Sequence, residues 1–280
     1  MESIIRKITA GSLKYGEKNN VAVFLKNITD GLRNSISILI FVAIWEIVPR
    51  VGLVPETFVA PPSVVLQTLV KLATDGVLLP HIEISLFRAV SGFVLAAMIG
   101  IPLGFFLGGR FRLFERILNP VLHLLHAVNP FSLFPVFILL FGIGEFSKVA
   151  IIFWVCLWPV LLNTITGIKN VDALLIKSAR SMGVKGLDLF LKVILPGASV
   201  NIFHGLKTSC GTAFFILIAA EMIGASNGLG WLVFNAQTNY QIPKLFATTV
   251  TIASLGLFLN YLFLRLEHKL IKWKDDIVQY

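Results

Sequence analysis

DALLIKSARSMGVKGLDLFLKVILP, residues 172–196, is the longest polar interruption in an apolar chain of 280 residues. It reads as two short amphipathic helices. The Asp172 carboxylate is suited to accept the orphan N–H groups of a first turn. Leu175, Ala179 and Met182 follow at i, i+4 and i+7 and share one face, with Lys177 and Arg180 off it. Gly183 stands where a residue with positive φ stops a helix. A second helix begins near Gly186, with Leu187, Phe190 and Ile194 on one side. Pro196 disfavours helix at Leu195 and cannot extend it. A soluble protein buries such faces in its own core. Here both flanks have the pattern of membrane spans, so the faces need another partner, either the lipid surface or a groove on another protein. The pattern alone leaves both open.

Composition decides the class. Hydrophobic residues make up 56% of the chain and charged residues 14%, against roughly 25% charged in soluble domains. Mean hydropathy is +0.84. The chain is an integral membrane protein with several spans. Its two cysteines, Cys156 and Cys210, sit in apolar runs and suggest neither a disulfide framework nor a metal site. Met1 to Lys26 is mixed polar sequence without the apolar run of a cleavable signal.

Six spans are expected: about 36–51, 84–108, 117–141, 149–168, 202–223 and 245–264. The second is rich in small residues, with Gly100 and Gly104 on one face, a spacing that lets helices approach closely in lipid. Asn129-Pro130 and Pro135 break the third. Pro61, Pro62 and Ser63 start a short amphipathic helix between the first two spans. GGRFRLFER (108–116) is expected as a short basic loop, and GASNGLGWLVFNAQTNYQIPK (224–244) as a Gly/Asn-rich one.

Six spans put both termini on one side. That side carries 19 Lys and Arg, counting Lys207 with it, and the other carries 5: Arg50, Lys71, Arg88, Lys148 and Lys244. By the positive-inside rule the rich side is the cytoplasm. Residues 172–196 are therefore expected there, and the net charge of +9 reports topology rather than nucleic-acid binding.

No enzyme motif appears: no P-loop, no H-E-x-x-H, no Cys/His cluster with ligand spacing. His123 and His126, three apart, lack further ligands nearby in sequence and fit an interface or cavity wall. Ionisable groups inside spans are functional candidates, which singles out Glu46 and Glu221. Glu221 fits a gate, a partner across an interface, or a cap near the headgroups. Irregular backbone at membrane depth persists only where protein buries it or it lines a cavity. Asn129, Pro130 and Ser132 are therefore pathway candidates, with a packing kink as the alternative. Asn163 and Ser209, with Thr164, Thr166, Cys210 and Thr212, are further pathway candidates within spans, with joining of helices, common for such side chains, as the alternative.

Ala179, Gly183, Phe190, Leu195 and Pro196 meet the pattern A-x-x-x-G-x-x-x-x-x-x-F-x-x-x-x-L-P. This resembles the cytoplasmic "EAA" loop of permease subunits of ATP-binding-cassette (ABC) importers. More narrowly, the chain resembles the permeases for nitrate, sulfonate, taurine and bicarbonate. LPHIEISLFRAVSGFVLAAMIGIPLG, NPFSLFPVFILLFGIGEFSK, LLNTITGIKNVD and AAEMIGASNGLGWLVFNAQ carry that likeness, from about Pro61 to Trp273. Two departures stand out: Lys177 and Ser178 replace the loop's usual Glu-Ala, and Asn129-Pro130 replaces a usual Pro-Pro pair.

The resemblance implies an all-α, polytopic, type I ABC importer permease fold, with six transmembrane helices and a cytoplasmic coupling-helix loop. It implies a leader (1–33), a first helix with extracytoplasmic amphipathic linker (34–80), a permease core (81–266) with coupling loop 169–200, and a cytoplasmic tail (267–280). Leu175, Ala179, Met182, Gly183, Phe190, Leu195 and Pro196 would couple to an ATPase. Implied partners are a second copy of the chain, two cytoplasmic ATPase subunits, an extracytoplasmic binding protein and membrane lipid, with no nucleic acid. The chain would be no enzyme and hold no cofactor, ATP and Mg belonging to the partner ATPase. It would sit in the cell (inner) membrane with both termini cytoplasmic and pass a small anion. A secondary transporter driven by an ion gradient is the alternative; it predicts inverted repeats and paired mid-membrane acids, and neither is visible.

Overall fold

The computed structural model describes residues 36–55, 57–110 and 112–270. The leader, and Lys272 and Lys274 of the tail, lie outside the described residues. The chain divides after Gln67 into two compact units.

In the first unit, residues 36–50 form α1, and α2 (Pro62–Thr74) begins at the expected Pro-Pro-Ser. Pro62 suits a first helical position because its missing N–H would have no intrahelical partner there. Glu46 of α1 caps this helix, accepting from the Ser63 N–H at 3.0 Å and the Ser63 hydroxyl at 2.7 Å. Arg50 pairs with Glu46 at 2.7 Å. Glu46, singled out by sequence, is thus engaged as a cap and ion-pair partner.

The second unit is built on α3 (Leu78–Phe105), α6 (Glu145–Lys169) and α9 (Leu195–Gly224). Gly92 lies on Ile152, Gly100 on Val160, Gly104 on Thr164 and Gly108 on Ile168. The constant offset means that α3 and α6 run parallel. The contact is backbone-close: a Cβ at Gly92 would stand 2.6 Å from Ile152 Cγ2, and one at Gly104 2.5 Å from Thr164 Cβ. Lipid gives no hydrophobic drive between helices, so such dispersion contacts carry the association. α9 runs antiparallel to α6, with Gly167 against Ala198, Gly205 against Asn163, and Ser209 on Cys156. Ile151, Ile152, Cys156, Leu217 and Ala220 fill the core between them.

α4 (Arg112–Ala127) and α5 (Pro130–Phe141) meet at 91°. Asn129 Oδ1 accepts from the Phe131 N–H at 2.9 Å and starts α5 at the expected break. Lys169, at the end of α6, reaches buried Glu115 of α4 at 2.6 Å. α7 (Ala173–Ser181) and α8 (Gly186–Leu189) form a hairpin before α9. α10 (Leu229–Thr238) and α11 (Ile242–Leu270) complete the described chain.

Several expectations are corrected. Leu195 is helical (φ −62°, ψ −48°), and Pro196 lies in the first turn of α9 rather than ending a helix. A π-helical turn, Phe190–Ile194, joins α8 to α9, and the Leu195 N–H bonds back to Phe190 O. The widened turn places Pro196 where its missing N–H is tolerated. The expected basic loop is helical as well: Phe106–Arg110 is a second π-turn extending α3, and α4 starts at Arg112. The Gly/Asn-rich segment contains α10, whose Leu229 and Leu232 are buried. Lys207, counted by sequence with the basic side, lies well inside α9.

Among the described residues, four helices are long and apolar enough to cross a membrane: Leu78–Gly109, Glu145–Lys169, Gly186–Gly224 and Ile242–Glu267. The α4–α5 pair, bent by 91°, would add a fifth if the two helices cross as one broken span. Of the first expected span, about 36–51, residues 36–50 are helical, and these 15 described residues are not among those four helices.

Candidate functional site

Residues 172–196 form a capped hairpin. Asp172 Oδ1 accepts from the Leu174 N–H at 2.8 Å, as its position predicts. Gly183 takes φ +83°. The Gly183 N–H bonds to Arg180 O and the Val184 N–H to Ala179 O, each at 3.0 Å, a Schellman closure that satisfies the last carbonyls of α7.

Leu175, Ala179 and Met182 do not share one environment. Ala179 is 5% exposed, whereas Leu175 and Met182 are 58% and 76% exposed. Ala179 joins the inner face. With it, Phe190 packs edge-on to Phe105 at 4.8 Å, and Leu195 rests on the Ile168–Val171–Ala198–Ile202 cluster. Pro196 is half-buried beside them. Leu174, which the sequence pattern did not single out, and Leu187 join Leu175 and Met182 as exposed apolar side chains. The segment is therefore anchored by one set of residues and presents another.

The opposite end of the bundle holds a buried ionic cluster. Arg88 of α3, fully buried, forks onto Glu145 of α6 through Nε (2.5 Å) and Nη2 (2.6 Å). Its Nη1 reaches Glu221 of α9 at 2.6 Å and Asn227 O at 2.9 Å, and its Nη2 reaches Asn227 Oδ1 at 2.6 Å. All five guanidinium donors are thereby used. Glu221, also fully buried, lies 2.8 and 2.9 Å from Ser85 Oγ and accepts from the Gly230 N–H at 2.9 Å. Ser85 in turn accepts from the Leu229 N–H, and His81 Nδ1 from the Gly228 N–H. Lys148 meets Glu145 at 3.3 Å. Two cations and two carboxylates balance. A Cβ at Gly228 would overlap the Glu221 carboxylate, so glycine is needed for this loop to close over it. Glu221 is thus placed in a satisfied cluster rather than on an open wall.

The other pathway candidates separate by location. Asn163 donates to Pro159 O at 2.8 Å, and Ser209 donates to Cys156 O at 2.9 Å. Both sit in the α6–α9 contact. Asn129 and Ser132 are exposed, and Pro130 half-buried, at the start of α5. There the Phe131 ring meets Phe215 of α9 at 6.0 Å. These two rings help line an open apolar groove of about 450 Å³, with Ile218, Ala219 and Met222.

Below that groove, α9 turns polar. Its exposed face carries His204, Thr208 and Gly211, with Asn201 and Thr212 half-buried beside them. A polar row within a spanning helix is poorly suited to lipid and needs protein or water against it. The sequence singled out neither this row, apart from Thr212, nor Arg88 and Ser85. The row's three- and four-residue spacing was the available signal.

A sequence profile described as "Binding-protein-dependent transport system inner membrane component" matches residues 100–272. The chain is 36% identical over 237 residues to a Bacillus subtilis protein named as an aliphatic sulfonates transport permease, covering 85% of this chain and 86% of that protein. It is 30% identical over 246 residues to the taurine transport system permease protein of Escherichia coli, covering 86% and 89%. Among solved structures, the inward-facing MetNI methionine ABC transporter matches with a TM-score of 0.58 at 19% identity, covering 70% of this chain and 94% of that one.

Proposed function

The chain belongs to the inner membrane components of binding-protein-dependent transport systems, and on that premise we propose that it forms half of the translocation pathway of an ABC importer for a small anion. Membership makes it a permease subunit of such an importer. In the proposed assembly two copies pair, two ATPase subunits bind ATP and Mg on the cytoplasmic side, and a binding protein delivers substrate from outside. The chain spans the membrane six times with both termini in the cytoplasm, as the distribution of Lys and Arg favours, 18 to 5 once Lys207, inside α9, is set aside. An alkanesulfonate, taurine, nitrate or bicarbonate fits the family; sulfonate is favoured by the Bacillus relative.

The observation that carries this reading is the hairpin. Leu174, Leu175, Met182 and Leu187 stand exposed on a rigid, capped turn whose own core contacts are made by Ala179, Phe190 and Leu195. An anchored turn presenting free apolar side chains suits a groove on another subunit. ATP-driven closure of the ATPases would move the hairpins and switch the spans between outward- and inward-open states.

The test is purification and transport. The chain is expected to co-purify with a nucleotide-binding subunit, and uptake in vesicles to stop without ATP. Uptake by the isolated chain, driven by a proton or sodium gradient, would overturn the proposal in favour of a secondary transporter.

A further inference from the structure

Lys207 has a setting that the coupling hairpin and the ionic cluster do not explain. α9 and α6 are antiparallel, and the neighbouring Gly205 lies against Pro159 O. Pro159 is about 21 Å along α6 from Glu145 and about 15 Å from Lys169, at 1.5 Å per residue. Lys207 therefore sits near mid-depth, too far from either end for its stem to carry the ammonium to the headgroups. Among the described residues no carboxylate pairs with it, whereas Arg88, Lys148 and Lys169 all have partners.

Lys207 lines a cavity of about 110 Å³ between α9 and α11, with Cys210, Gly211, Phe214, Gly256 and Asn260 in its wall. The volume admits a small solute with a few waters. Gly211 and Phe214 also line the Phe131–Phe215 groove, so the two spaces adjoin. A Cβ at Gly211 would meet nothing within 4 Å, so nothing narrows the junction there. The groove is apolar. Lys207 and Asn260 bring polar side chains to the adjoining cavity, and Lys207 is next in the chain to Thr208 of the exposed row.

We infer that Lys207 is the charge-selecting group of the pathway, holding a small anion transiently in the α9–α11 cavity while Asn260 hydrogen-bonds it. The inference rests on the anion-importer reading above and assigns its selectivity to a residue of the membrane subunit. An ammonium at mid-depth with no carboxylate partner among the described residues attracts an anion strongly because the surroundings screen little. A single fixed charge with one amide beside it also leaves the ion free to depart.

The test uses proteoliposomes holding the full complex of permease, ATPase and binding protein. Uptake of radiolabelled ethanesulfonate, taurine, nitrate and bicarbonate is compared for wild type, Lys207→Arg, Lys207→Gln and Lys207→Met. Lys207→Arg is expected to stay within about twofold of wild type, and the Gln and Met variants to fall about tenfold or more. ATP hydrolysis stimulated by the loaded binding protein should survive in all of them, which separates loss of an ion site from loss of assembly. Uptake by Lys207→Gln within about twofold of wild type, or Lys207→Arg as poor as Lys207→Gln, overturns the role of Lys207. If Lys207→Met does not assemble, the Gln and Arg variants decide. Wild-type complex that hydrolyses ATP yet moves none of the four probes overturns the anion reading itself, and this proposal with it.

Discussion

Arg88 and Glu221 are 133 residues apart in the chain and 2.6 Å apart in the fold. Nothing in the local sequence pairs them, which is why Glu221 alone fitted a gate, an interface or a cap. Burial and geometry now predict unequal costs. Arg88→Met leaves two carboxylates without their main partner, one of them fully buried, and is expected to destabilise the protein by about 3–5 kcal/mol. Glu145→Gln acts on a side chain that is 55% exposed and should cost about 1 kcal/mol or less. Thermal unfolding of the detergent-purified complex measures both; equal shifts would mean that the cluster is not organised around the buried arginine. Glu221→Gln should fall between them, and wild-type uptake with a lowered midpoint would assign Glu221 to stability.

At the scale of elements, the α3 glycines and the hairpin make opposite use of small residues. Gly104 has no room for a Cβ because Thr164 fills the space. Gly104→Val is expected to force α3 from α6 and cost about 1–3 kcal/mol or more. Gly183 has open space around it and only its φ of +83° to defend, so Gly183→Ala should cost about 1 kcal/mol and leave the ATPase bound. The double variant Met182→Asp, Leu187→Asp should do the reverse, losing the ATPase on a size-exclusion column with the unfolding midpoint unchanged. Asp172, Gly183 and the Asn129 break were legible in the sequence because caps, positive φ and Pro have local chemistry. The two π-turns were not: an i→i−5 turn uses ordinary helix residues, and so Pro196 was read as a stop. The splitting of Ala179 from Leu175 and Met182 was hidden for a different reason, since helical spacing names a face but not what covers it.

For the whole molecule, membrane insertion followed from composition alone, and the family from motifs spread along most of the chain. Depth was harder: Lys207 was counted with one side by its place in the sequence, and only the α6–α9 register moves it to the middle. Sidedness is open to a direct check. A single cysteine at Leu187 is expected to react with an impermeant maleimide in inside-out vesicles and not in right-side-out ones, and a cysteine at Ser226 the reverse; the opposite pattern would invert the proposed topology. From Gly186 to Gly224 the chain is one uninterrupted helical run of 39 residues, about 58 Å at 1.5 Å per residue. In the proposed importer it would work as a push-rod. Its foot is Leu187, its head is Glu221, and Lys207 is near mid-rod. No loop lies between them to absorb a stroke, so an axial displacement passed on beyond Phe190–Ile194 would reach the head undiminished. The one compliant joint is the π-turn at Phe190–Ile194, where taking up or releasing the extra residue would convert thrust into rotation of everything beyond it.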